Sequence, residues 1–175
     1  IKNSKSIGKG INITFTEQLD IHKELSHSII VFQNIKNISN FIPECQTNFV
    51  FSKIKAKRIS DVLGISGRLV KSGKEIIQAG NIIYGGSQHV ATAVIEVSKK
   101  FPRIRSAINI KYEKRLVDKA KKNGLLVISY DRSKESRNLK RKENSSVAWG
   151  VSNCLRSDPP DMIYHKGDMG KEPMI

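Results

Sequence analysis

Between residues 80 and 100 the chain changes its apolar period within a few positions, so a turn has to fall between two different elements. Ile82 and Ile83 run into Tyr84, then Gly85-Gly86-Ser87, and a helical pattern begins at once. Val90, Ala93, Val94 and Val97 recur at i, i+3, i+4 and i+7, one face of a helix. Ser87 stands where an N-cap belongs. Gln88, His89 and Val90 are then the first helical residues, whose N–H groups the helix leaves to outside acceptors. Two glycines let a ligand approach those amides, and the positive end of the helix dipole favours an anion there. His89 would stand beside it. The pattern suits a phosphate, although the same letters also spell an ordinary turn before a helix with a surface histidine.

The 175 residues fit one domain with a real core, and 38% hydrophobic and 27% charged residues are globular values. No apolar run reaches membrane-spanning length and no signal peptide is visible. The first residue is Ile1, and the expectation is a fragment of something larger. Cys45 and Cys154 make neither a metal spacing nor a disulfide framework, so a reducing cytoplasm is the default. A net charge of +15 suits nucleic acid. It equally suits phosphorylated small molecules, because positive potential concentrates anions, and 6% aromatics leave few rings to stack on bases.

Residues 1–15 read as a linker or the tail of a preceding unit. Thr14 and Glu17 have capping-box spacing before an amphipathic helix over about 16–39, carrying Leu25, Ile29 and Phe32 and stopped before Pro43. Residues 48–52 suggest a strand and 59–63 a helical turn. Residues 68–71 and 75–78 flank Ser72-Gly73-Lys74 as a tight hairpin. Residues 107–112 alternate like a strand, with Ile108, Ile110 and Tyr112 on one face and Asn109 and Lys111 on the other. A helix over 113–123 ends before Gly124, and 125–130 is a second strand. Strand, helix, glycine, strand predicts a parallel pair with a right-handed crossover. The charge run 132–144 reads as a solvated loop. A short helix then carries Val147, Val151 and Cys154, with Trp149 as core packing. Residues 162–165 form a last strand after Pro159-Pro160. Gly167 and Gly170 bracket a loop with Lys171 that offers a second possible anion cradle. No repeat, metal-ligand cluster or serine or cysteine triad stands out.

Taken in order, IPECQTNFVFS at 42–52, SGRLVK at 66–71, YGGSQHVA at 84–91, RSAINIKY at 105–112, Ala148-Trp149-Gly150 and IYHKGDMGKEPMI at 163–175 form a series that resembles the ThiN-type thiamine-phosphate synthase domain. The resemblance covers roughly 42–175. The SIGKG near the start also looks like the end of the kinase domain that usually precedes such a unit. It implies an α/β fold: three layers, α/β/α, around a mixed and largely antiparallel sheet, class II aldolase-like. The domain boundary falls at 16–175.

The resemblance implies a reaction too. Hydroxymethylpyrimidine diphosphate and hydroxyethylthiazole phosphate give thiamine phosphate and pyrophosphate, with Mg²⁺ accompanying the diphosphate as the one cofactor to consider. It places catalytic roles on Arg68 and His89, and substrate or phosphate binding on Gly85, Gly86, Ser87, Gln88, Asn109, Gly167, Asp168, Gly170 and Lys171. Ser66 stands before Gly67 where many relatives have proline. Expected partners are the small phosphorylated substrates, a second copy in a homodimer and a covalently linked upstream kinase domain, with no nucleic acid and no membrane. Similar domains also serve as thiamine-phosphate sensors in transcription regulators. Those tend to lack the arginine–histidine pair, which this chain keeps.

Overall fold

Alternation along Phe49–Ser52 sets the architecture. In the computed structural model, which describes residues 20–136 and 145–175, this segment is strand β1. Phe49 and Phe51 join one core with Ile21, Leu25, Ile29 and Phe32 of the helix at 20–33, α1. Val50 faces the other way and joins Val90, Ala91 and Val94 of α2 (His89–Lys100). A helix therefore covers each face of the sheet. Each fully buried aliphatic or phenyl side chain contributes about 1.5–3 kcal/mol, so these two interfaces dominate the stability.

The sheet is antiparallel, in the order β5-β2-β1-β6. β2 (Val62–Ile65) sets Leu63 opposite Phe51 of β1 and Tyr84 of β5 (Ile82–Tyr84). β6 (Ser106–Ile108) sets Ile108 opposite Phe49. A hairpin of β3 (Leu69–Ser72) and β4 (Glu75–Gln78) turns at Gly73, with φ +62°. It is tied to the entry of β1 by reciprocal bonds between Thr47 and Leu69, of 3.2 and 2.7 Å.

Beyond β6, α3 (Lys114–Lys122) buries Val117 and Ala120 and gives way to Gly124 at φ +82°. β7 (Val127–Ser129) pairs in parallel with β8 (Met162–Tyr164). α4 (Ser145–Cys154) packs against α2 and buries Gly150, Val151 and Cys154. Among the described residues no helix is long and apolar enough to cross a membrane.

Several sequence expectations are corrected. The parallel pair is β7 with β8, not β7 with the strand before α3. β6 pairs antiparallel with β1, and just past it the flank is taken by the C-terminus, where Ile110 and Ile175 exchange backbone bonds of 2.9 and 3.0 Å. Helix α1 ends at residue 33 rather than 39, because Asn34 turns its side-chain amide back onto Ile30 O at 2.8 Å and Asn37 is left-handed. Its expected start and the Thr14–Glu17 cap lie outside the described residues, as does the linker at 1–15. The turn at 59–63 is a 3-10 turn only over Ile59–Asp61, closed by the Asp61 carboxylate accepting from the amides of Lys57 and Arg58. Val62 and Leu63 belong to β2. In the charge run Ser133 and Lys134 are exposed, as a solvated loop requires, but Glu135 is buried. The run's remainder, 137–144, lies outside the described residues.

The turn before α2 differs from its expected form as well. The cap is Gln88, without a side-chain cap bond, and Ser87 is buried. Ser87 lies over Gly64 of β2, where a Cβ would stand 2.9 Å from its own. Gly86 fits even more tightly: a Cβ there would sit 2.3 Å from Gly64 O. Packing on β2 alone thus requires glycine at 86. Gly86→Ala should lose about 1–3 kcal/mol of stability through overpacking against backbone. Thermal denaturation checks this, and an unchanged midpoint would contradict the packing.

Candidate functional site

A cavity of about 940 Å³ opens between the start of α2, the start of β3, the 45–48 segment and the β7–β8 pair. Arg68, His89, Gly85, Gly86, Ser87, Gln88, Asn109 and Lys171 all line it. Residues separated by a hundred positions are therefore brought to one concavity. Gly167, Asp168 and Gly170 are not on its wall. They shape the turn that presents Lys171, through Asp168 N–Lys171 O at 3.2 Å and Lys171 N–Asp168 O at 2.8 Å.

Arg68 sits at φ +71°, a left-handed conformation that costs a non-glycine residue roughly 1–2 kcal/mol. Strain of this kind gathers where a side chain must be aimed. Its guanidinium Nη1 donates to Cys45 O, and its own carbonyl accepts from Ala79 N at 2.9 Å. The 44–45 loop is held in turn by the Glu172 carboxylate, which accepts from the amides of Glu44 and Cys45 at 2.9 and 3.1 Å. Burial, and then the Glu172 charge, push the Cys45 thiol above its ordinary pKa, so it is a poor nucleophile.

The turn at 85–88 spends two of its amides internally. Gly85 N donates to Val62 O at 2.9 Å and Gly86 N to Ile83 O at 3.2 Å. Gly85 has φ +76° and open space where a Cβ would be. His89, exposed at the first position of α2, stands at the positive end of the helix. Asn109 uses both ends of its amide on backbone: Oδ1 accepts from Asn48 N at 2.7 Å and Nδ2 donates to Gln46 O at 3.0 Å. It fixes the 46–48 segment from within the cavity wall. Asn48 continues the chain of contacts, exchanging two bonds with the backbone of Ile65.

Sequence reasoning missed a second group. Arg132, Tyr130 and His165 line the same cavity, and Glu135 lies behind them. The Glu135 carboxylate accepts from Ser146 Oγ and faces Arg132 Nη2 at 3.6 Å and Lys171 Nζ at 4.0 Å. The ring of Tyr130 lies 5.1 Å from that of His165 and edge-on to Trp149 at 6.5 Å. Trp149 is half-buried and packs on Tyr130 rather than in either core cluster, where it was expected. Burial pushes the Tyr130 hydroxyl up to about 12. His165 lies within the closing motif at 163–175 without having been singled out, and Arg132 opens the charge run, where the surrounding charges masked it.

His165 is buried, and its Nδ1 accepts from Gly167 N at 3.1 Å. Burial first, then the cations of Arg132 and Lys171, lower its pKa to about 4, with Glu135 pulling weakly the other way. An unfolded chain protonates this ring near its ordinary value of 6.5. The stability of keeping it neutral is therefore present above that value and lost as pH falls toward 4. The melting temperature should drop across that window, and the drop should shrink in His165→Gln. An identical pH slope in the variant would exclude this histidine as its source.

Among the described residues no three His, Cys, Asp or Glu side chains gather to hold a metal ion. On the cavity wall Arg68, Arg132 and Lys171 outnumber the carboxylates of Asp161 and Glu172, and cationic donors of this kind suit phosphate oxygens.

Residues 24–175 match the family model described as "Thiamine-phosphate synthase ThiN". The chain is 33% identical over 155 residues to the Thiamine-phosphate synthase ThiN of Methanothermobacter thermautotrophicus, covering 87% of this chain and 82% of that protein. It is 34% identical to the Bifunctional thiamine biosynthesis protein ThiDN of Methanocaldococcus jannaschii, covering 99% of this chain and 40% of that longer protein. Its fold superposes on the crystal structure of a C-terminal domain of phosphomethylpyrimidine kinase with a TM-score of 0.83, at 38% identity and 90% coverage of each chain.

Proposed function

The chain belongs to the ThiN family of thiamine-phosphate synthases, and we propose on that footing that its cavity joins hydroxymethylpyrimidine diphosphate to hydroxyethylthiazole phosphate. The enzyme is a transferase of thiamine biosynthesis. The observation that carries the reading is the meeting of Arg68 and His89, from different elements, on the wall of one cavity with the turn at 85–88. The thiazole nitrogen supplies its lone pair to the exocyclic pyrimidine carbon. The carbon–oxygen bond breaks with its electron pair passing to the departing pyrophosphate, and the thiazole, now bonded through its nitrogen to that carbon, becomes the thiazolium of thiamine phosphate. Catalysis of such a displacement consists of holding the two rings and neutralising charge on the departing oxygen.

In this reading Arg68 binds the diphosphate as a permanent cation with a two-pronged fork. His89, at the helix start, donates to the leaving oxygen. Gly85, Gly86, Ser87 and Gln88 form the phosphate turn. Asn109 holds the segment opposite, and the turn of Gly167, Asp168 and Gly170 presents Lys171. Mg²⁺ would arrive on the diphosphate rather than on a protein cage, since among the described residues no three His, Cys, Asp or Glu side chains gather to hold it. Helices on both faces of the sheet support a three-layer α/β/α arrangement of the class II aldolase-like type. A cytoplasmic homodimer, joined to an upstream kinase domain, completes the proposal. The 40% share of the bifunctional relative supports that linkage.

Incubating the chain with the two substrates should release thiamine phosphate and pyrophosphate, and absence of product would refute the reading. Contacts to the leaving group strengthen as charge develops, so their loss falls on kcat. Arg68→Ala and His89→Ala should each lower kcat on the order of a hundredfold. Arg68→Lys should be impaired as well, because it keeps the charge and loses the fork. Both residues are exposed, so the variants should melt like the parent. A normal kcat in both alanine variants would remove the pair from the mechanism.

A further inference from the structure

Resting on the synthase reading, we propose that Arg132, Lys171 and the Nε2–H of His165 form a phosphomonoester subsite that receives the phosphate of the thiazole substrate. All three line the cavity. The Arg132 side chain is 11% exposed, and its Nε is buried with no hydrogen-bond partner among the described residues. Glu135, with a side chain 1% exposed, faces both cations at 3.6 and 4.0 Å. Charge-assisted hydrogen bonds lie nearer 2.7–2.9 Å, roughly an ångström shorter. The carboxylate therefore orients Arg132 and Lys171 without using up their donors. Two cations against one carboxylate leave an excess positive charge in a poorly hydrated place, which an anion offsets.

The ring of His165 completes the set. Its Nδ1 accepts from Gly167 N, so the neutral ring carries its proton on Nε2 and is a donor there. One guanidinium, one ammonium and one imidazole N–H match the three terminal oxygens of a monoester, which carries about −1.5 to −2 charge at neutral pH. A diphosphate would press further negative charge against Glu135. Arg68 and the α2 turn, reached from other elements, remain for that substrate. The two anionic groups are thus sorted by charge.

Calorimetric titration of the intact chain with hydroxyethylthiazole phosphate, the unphosphorylated alcohol and the pyrimidine diphosphate tests the assignment. Arg132→Gln should weaken the thiazole phosphate on the order of tenfold to a hundredfold. Binding of the alcohol and of the diphosphate should stay as in the parent. Removing Arg132 alone strands the Glu135 charge and risks unfolding, so the double variant Arg132→Gln/Glu135→Gln is measured beside it and should show the same selective loss. Proton NMR of His165 should show its titration moving upward when the thiazole phosphate binds. Loss confined to the diphosphate, or parental affinity for all three ligands in the double variant, would overturn the subsite. Binding of the thiazole phosphate without turnover would instead refute the synthase reading and leave the subsite in place.

Discussion

Two backbone hydrogen bonds between Ile110 and Ile175 join the halves of this molecule. They place the last residues alongside the continuation of β6, while Met174 exchanges bonds of 3.0 and 3.1 Å with His165 just past β8. The antiparallel sheet and the β7–β8 pair are thereby held to one another, with the cavity between them. Consecutive residues of this segment serve its two sides. Lys171 reaches toward Glu135, and Glu172 accepts the amides of Glu44 and Cys45, whose carbonyl side receives Arg68. A shift of the C-terminus would displace both groups of cations at once.

Charge is used unevenly. A net +15 spread over the surface contributes little to stability and mainly raises the local concentration of anions. Exposed pairs such as Lys114–Asp118, at 2.8 Å, are screened and weak. Arg132 and Glu135, with side chains 11% and 1% exposed, are different, because burial lengthens the reach of each charge and makes any imbalance costly; Lys171, 31% exposed, borders them. His165 records that environment in its depressed pKa. The same residues that penalise its protonation are those that would welcome a phosphate.

What the sequence made legible follows from how local each signal is. The α2 period, the hairpin around Gly73 and the end of α3 at Gly124 depend on neighbours in the chain, and they stand as read. β2 did not stand out because Val62, Leu63, Gly64 and Ile65 are all buried, so the strand lacks an exposed face and shows no alternation. The cap at Ser87 was misplaced by one residue because Gly64, twenty-three positions earlier, draws that serine inward. The partner of β7 was misjudged because the residues that flank the end of β6 come from the chain's last positions. Arg132 and Glu135 hid within a charge run, since only the fold shows that they are buried and paired. The helix-start pattern raised His89 as a candidate beside an ordinary surface reading, whereas Arg68 was singled out only through the family resemblance.

The layout bears on how a synthase of this kind gains rate. Correct placement of two reactants can remove about 7–11 kcal/mol from a barrier otherwise spent on bringing them together. Two small rings offer little surface to grip, but each substrate carries an anionic handle. A cavity with cations on walls from different elements can hold both handles and set the reacting atoms between them. On the proposed binding mode, the left-handed backbone at Arg68 and the buried carboxylate at Glu135 serve one purpose. Each fixes a cation in advance, so that the cost of ordering it is met during folding and not during the reaction. The bonds of the C-terminal segment set the separation of those walls, and on the proposed binding mode they would thereby set the distance at which the two rings meet.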